Sequence, residues 1–140
     1  MKKFVLLIFF ISSLWSSDIH WPSDYKKALI QAKKEHKLVY ILITSDACQW
    51  CRKFESTTLQ NLQIKKRLFK NYVPIHLSRD RDRDIIPKEF KKAPVPRHYF
   101  TNAEGKILYS SLGYRDDVMF NAFMDNAQER ECKNQKKDKK

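Results

Sequence analysis

The chain has 140 residues with 28 Lys and Arg against 16 Asp and Glu, a formal net charge of +12. A length inside the roughly 100 to 200 residues of one ordinary domain leaves no room for a second catalytic unit. The basic balance fits a nucleic-acid binder, but much of it sits in Lys133, Lys136, Lys137, Lys139 and Lys140, and the export pattern at the other end argues against that partner.

Lys2 and Lys3 precede an unbroken apolar run from Phe4 to Ile11, followed by Ser12, Ser13, Ser16 and Ser17. This is the pattern of a signal peptide over residues 1–17. The run falls short of the about 20 apolar residues a spanning helix needs. Leu14 or Trp15 stands where a small residue normally precedes cleavage, so an uncleaved tether is the alternative, and membrane contact is expected only in that case. The first cysteine is Cys48, too distant for lipid modification at this boundary. The expected location is therefore periplasmic or secreted, where disulfides form and persist.

A domain is expected over residues 18–131, followed by a basic flexible tail over 132–140. Ser23 can cap a helix whose first turn holds Asp24, with Tyr25, Ala28, Leu29 and Ala32 on one face. Leu38 to Ile43 is a continuous apolar run, as a central strand covered on both faces must be. A short loop leads to Cys48-Gln49-Trp50-Cys51, which opens a helix reaching about Leu59.

A helix from Asn61 carries Leu62, Ile64, Leu68 and Phe69, and a strand follows from Tyr72 to Leu77. Pro74 places that strand at a sheet edge. The alternating Arg79 to Asp84 reads as a solvated surface loop. Arg97 to Phe100 and Lys106 to Ser110 flank a turn in which Gly105 supplies the unusual backbone conformation. A last helix starts near Asp116, carries Val118, Met119, Phe120, Phe123, Met124 and Ala127, and dissolves after Glu131. These elements make an α/β fold, a central mixed sheet of about four strands flanked by helices.

A bare C-x-x-C serves zinc sites, haem attachment and redox exchange alike. Arg52 stands where haem attachment wants His, and Cys132, His20, His36, His76 and His98 are scattered, unlike a second pair of zinc ligands. Exchange needs one ionised thiol and a second to resolve the mixed disulfide. Cys48 at a helix start, near Arg52 and Lys53, is expected to have a lowered pKa and to attack, with Asp46 opposing in part. Cys51, one turn further in, is expected to resolve. Glu55 reads as an exposed helix glutamate rather than a proton relay, His76 and His98 as structural, and Cys132 as a terminal cysteine outside the chemistry. Trp50 serves either substrate contact or packing.

The segment Ser45-Asp46-Ala47-Cys48-Gln49-Trp50-Cys51-Arg52-Lys53-Phe54-Glu55 resembles the active-site segment of thioredoxin-like proteins with a C-x-W-C centre, exported members included. The likeness runs from about Ile19 to about Ala127. It implies a thioredoxin-like fold in which Pro96 is a cis-proline facing the cysteines and Val95 offers backbone groups to an extended substrate peptide. Arg97 replaces the threonine common after that proline, Leu42 stands where many thioredoxins have a buried carboxylate, and Gln49-Trp50 replaces Gly-Pro. Cytosolic thioredoxin itself is therefore not the match. The resemblance implies an exported thiol-disulfide oxidoreductase, in the reducing direction, acting on protein thiols or disulfides without a metal or organic cofactor. An upstream redox partner such as a membrane thiol reductant conductor would recharge it. The alternative is a binding or chaperone-like module with a structural or redox-sensing cysteine pair.

Overall fold

A computed structural model describes residues 21–91 and 94–139. The expected signal peptide and the start of the domain at residue 18 lie outside these residues. Four strands form one sheet in the order β2-β1-β3-β4. In chain order the elements are α1 (Tyr25–Glu35), β1 (Leu38–Thr44), α2 (Gln49–Ser56), α3 (Leu62–Asn71), β2 (Tyr72–Ser78), β3 (Arg97–Thr101), β4 (Ile107–Leu112) and α4 (Asp117–Asp138). β1 pairs parallel with β2 and antiparallel with β3, which pairs antiparallel with β4.

β1 explains the layering. Successive side chains of a strand point to opposite faces, and its continuous apolar run divides into two cores. Tyr40 and Leu42 join Phe54, Ile64, Leu68 and the α4 residues Phe120, Phe123, Met124 and Ala127. Val39, Ile41 and Ile43 face the other way, against Ala28 and Ala32 of α1 together with Ile86 and Phe90. Helices thus cover both faces, and the sheet is a thioredoxin-like fold. β2 has one neighbour, so Pro74 sits on an edge strand, where its missing N–H breaks no ladder at the open side.

The helix ends differ from the sequence expectation in three places. Asp24 rather than Ser23 caps α1, its carboxylate accepting from the Lys27 amide at 3.0 Å. The helix after Cys48 ends at Ser56, and a separate 3-10 turn over Thr58–Gln60 precedes Asn61, whose side chain caps α3. The expected flexible tail is helical: α4 does not dissolve after Glu131 but runs to Asp138. Its last turns are mostly Gln, Glu, Arg and Lys, which are good helix formers and outweigh Cys132, Asn134 and Asp138. They are joined by Lys133 to Glu129 at 2.6 Å and Gln135 to Glu131 at 3.1 Å, both four residues apart. In the hairpin, Gly105 has φ +85 and a Cβ there would meet the Tyr25 hydroxyl at 2.8 Å, so the turn requires glycine.

Candidate active site

β1 delivers the chain to the rim of the sheet, and Cys48 is the N-cap of α2. The Cys51 amide donates to Cys48 Sγ at 3.1 Å. The two sulfurs are joined as a disulfide, with 5.3 Å between their Cα atoms. Cys51 is 2% exposed, whereas Cys48 is partly exposed and Trp50 is 49% exposed. That asymmetry makes Cys48 the outer residue of the pair and Cys51 the inner one.

The loop between β1 and Cys48 is clasped from the side. The Asp46 amide donates to Asp80 Oδ2 at 2.6 Å, the Ser78 hydroxyl donates to Asp46 Oδ1 at 3.3 Å, and Arg81 Nε lies 3.4 Å from the same oxygen. Asp82 accepts from the Ser78 amide at 2.7 Å, and Arg52 donates to the Asp46 carbonyl at 3.0 Å. The Arg-Asp alternation expected to be only a solvated loop therefore fixes the approach to the cysteines. Composition could not show this, because the partners meet across more than thirty residues of chain.

On one side of the pair, Trp50, Pro94, Val95, Pro96, Leu112, Gly113 and Tyr114 line a shallow apolar groove. The Val95–Pro96 peptide bond is cis, and the Pro96 carbonyl accepts from the Gly113 amide at 2.8 Å. Pro96 is buried and Val95 partly so. Trp50 and Tyr114 have ring centroids 6.1 Å apart, with the Lys53 ammonium 5.1 Å from one ring and 4.8 Å from the other. Trp50, Val95 and Pro96 thus share one surface beside the helix start. Cys132 is free and exposed on α4 and belongs to no part of this site.

On another side, Thr44, Ser45, Asp46, Cys51, Arg52, Glu55, His76 and Arg81 line a cavity of about 190 Å³. Glu55 is not an exposed helix glutamate. It is partly buried, its Oε1 lies 3.3 Å from His76 Nε2, and the same nitrogen lies 2.7 Å from Thr44 Oγ1. Burial raises the Glu55 carboxyl, with the Arg81 and Arg52 charges pulling it back. Burial lowers His76, Arg81 adds to the effect, and Asp82 opposes it. The four-residue step from Cys51 to Glu55 carries a usable signal, since it sets both on one helix face. The meeting with His76 depends on strand register, which pairs His76 with Leu42.

The family model Thioredox_DsbH, described as "Protein of unknown function, DUF255", matches residues 9–95. The chain belongs to that family. Among solved structures it is similar to a DsbH oxidoreductase, with TM-score 0.63 and 23% identity over 76% of this chain and 82% of that one. It is also similar to the oxidised DsbD c-terminal domain of Neisseria meningitidis, with TM-score 0.60 and 14% identity, covering 72% of this chain and 90% of that domain. At these identities the likeness is one of fold. Spermatogenesis-associated protein 20 of Rattus norvegicus is 30% identical over 70 residues, which is 47% of this chain and 9% of the rat protein. The chain thus spans less than a tenth of that relative's length. The fold is thioredoxin-like, and the Cys48–Cys51 disulfide sits at the start of α2 within it.

Proposed function

We propose that this DsbH-family chain works outside the cytoplasm and reduces disulfides of exported proteins, with Cys48 attacking and Cys51 resolving. The observation that carries the reading is the helix cap: the sulfur of the partly exposed Cys48 accepts from the Cys51 amide beside an apolar groove. Once the pair is reduced, that amide and the first turn of α2 favour a thiolate at Cys48. An extended client strand lies along Val95 and Pro96, with Trp50 at its side.

The reaction balances without a metal or organic cofactor. Cys48 thiolate displaces one client sulfur and forms the mixed disulfide; Cys51 then displaces Cys48's bond to the client. The client leaves as a dithiol and the enzyme as the Cys48–Cys51 disulfide. Each turnover therefore requires an upstream reductant, and a membrane thiol reductant conductor fits an exported domain. The basic start and apolar run of residues 2–11 support export, and the reducing direction rests on the resemblance to exported thioredoxin-like proteins.

The test is the reduction potential of the pair equilibrated with glutathione or dithiothreitol, with Cys48→Ser as the blank. A value below about −230 mV supports a reductase, and one near about −120 mV an oxidant. No reversible disulfide at all turns the reading to a binding module. In cells, Cys51→Ser is expected to accumulate client proteins bound through Cys48.

A further inference from the structure

The resolving step poses a problem that the attacking step does not. Cys51 is 2% exposed, and a thiol so enclosed resists ionisation. Leu42, buried on β1, offers no carboxylate to take its proton. Yet the cavity reached by Cys51 contains one, because Glu55 follows it by one turn of α2 and lines the same wall. We propose that Glu55, oriented by His76, accepts the Cys51 proton through a water in this cavity when Cys51 attacks the mixed disulfide. The proposal rests on the exchange chemistry of the preceding subsection and adds a proton path to it.

The groups around Glu55 fit that task. From β1 comes Thr44, from β2 comes His76, from α2 itself Arg52, and from the loop after β2 Arg81. Asp82 acts on His76 from the same loop, and the buried Tyr40 hydroxyl feels the Glu55 charge from beneath. Asp46 also lines the cavity, but its carboxylate is engaged by Ser78 and Arg81 and its side chain is 59% exposed. His76 Nε2 is hydrogen-bonded to Thr44 Oγ1 and lies 3.3 Å from Glu55 Oε1, a contact that holds the carboxyl at the cavity wall and makes His76 a positioning residue. Burial lifts the carboxyl toward the range in which it exchanges protons with a thiol most readily. A polar cavity of this size accommodates water between sulfur and carboxylate.

The step is balanced as follows. The Cys51 S–H bond breaks and its proton passes to Glu55. The Cys51 sulfur bonds to Cys48 while the bond from Cys48 to the client sulfur breaks, leaving the electron pair on the client. The departing thiolate recovers the proton, and the carboxylate is regenerated.

The experiment uses reduced full-length protein carrying Cys132→Ser, mixed with excess Ellman's reagent over pH 5.5 to 9.5. The first thionitrobenzoate released reports attack by Cys48, and the second, independent of reagent concentration, reports resolution by Cys51. Glu55→Gln is expected to slow the second release roughly tenfold or more near pH 6.5. The gap should narrow as pH rises toward 9.5, where hydroxide increasingly takes the thiol proton in place of the carboxylate, and the first release should be unchanged. Overlapping profiles, or a loss equal at every pH, overturn the proton path. Should the variant melt early, the parent profile decides: an inflection below that of the thiol supports a carboxyl acceptor, and a single thiol inflection overturns it. Absence of the first release counts against the oxidoreductase reading instead.

Discussion

The Tyr40 hydroxyl lies 2.8 Å from Nδ1 of His98, deep between the sheet and α2. The other ring nitrogen, Nε2, donates to the Gly113 carbonyl at 2.9 Å, so in the neutral ring Nδ1 accepts from tyrosine. Burial is the first cause that takes His98 from 6.5 to about 4. Between those values the unfolded chain binds a proton that the folded one refuses, and stability therefore rises with pH through this window. The contribution is complete above about pH 6.5 and lost as pH falls toward 4, on the order of 3 kcal/mol. Urea titrations at pH 4.5 and 7.5 should show a smaller pH difference for His98→Gln than for the parent, whatever the variant's absolute stability.

Phe54 anchors the redox helix. It is fully buried one turn past Cys51, with its ring 4.8 Å from that of His98 and 5.3 Å from that of Phe120. Phe54→Ala should cost about 3 to 5 kcal/mol in chemical denaturation. Equilibration with glutathione should then show a shifted potential, because the cap that faces Cys48 is carried by the same short helix.

Trp50 is poised differently, being half exposed, with its ring tilted against Tyr114 and the Lys53 ammonium over both rings. Trp50→Ala should change stability by less than about 1 kcal/mol in thermal melts. Reduction of a protein disulfide should slow severalfold while reduction of a small disulfide stays near the parent rate. Equal loss on both substrates would remove Trp50 from client contact.

Gly105 allows a stability test remote from the chemistry. With φ +85 and the Tyr25 hydroxyl in the path of any Cβ, Gly105→Ala should destabilise the domain by about 1 to 2 kcal/mol. Tyr25→Phe in the same background should recover part of the loss by clearing that oxygen.

The order of the elements was readable because each rests on a local pattern. The double-faced run Leu38 to Ile43, the Pro74 edge and the Asn102-to-Lys106 turn each name their own place in the sheet. Cys48 and Cys51 were readable for the same reason, being three residues apart at a strand-to-helix junction. Glu55 is partly buried, contrary to its local pattern, because His76 and the loop with Arg81 that cover it arrive from far along the chain. The clasp of Asp46 by Ser78, Asp80 and Arg81 was invisible likewise, since like alternation of charge occurs in free loops. Helix α4 outruns its expected end because charge content alone does not separate a solvated tail from a helix, while Glu129 with Lys133 and Glu131 with Gln135 brace successive turns.

The length of α4 changes how the molecule moves in solution. Its 22 residues span about 33 Å, yet the last buried one is Ala127, and among the described residues the last hydrogen bond from α4 to the sheet is that of Arg130 to the Leu108 carbonyl at 2.8 Å. Drag on the turns of α4 beyond that bond opposes end-over-end rotation more than rotation about the helix axis. Rotational diffusion is then anisotropic, and amide vectors along α4 relax by a different correlation time from those lying across the strands.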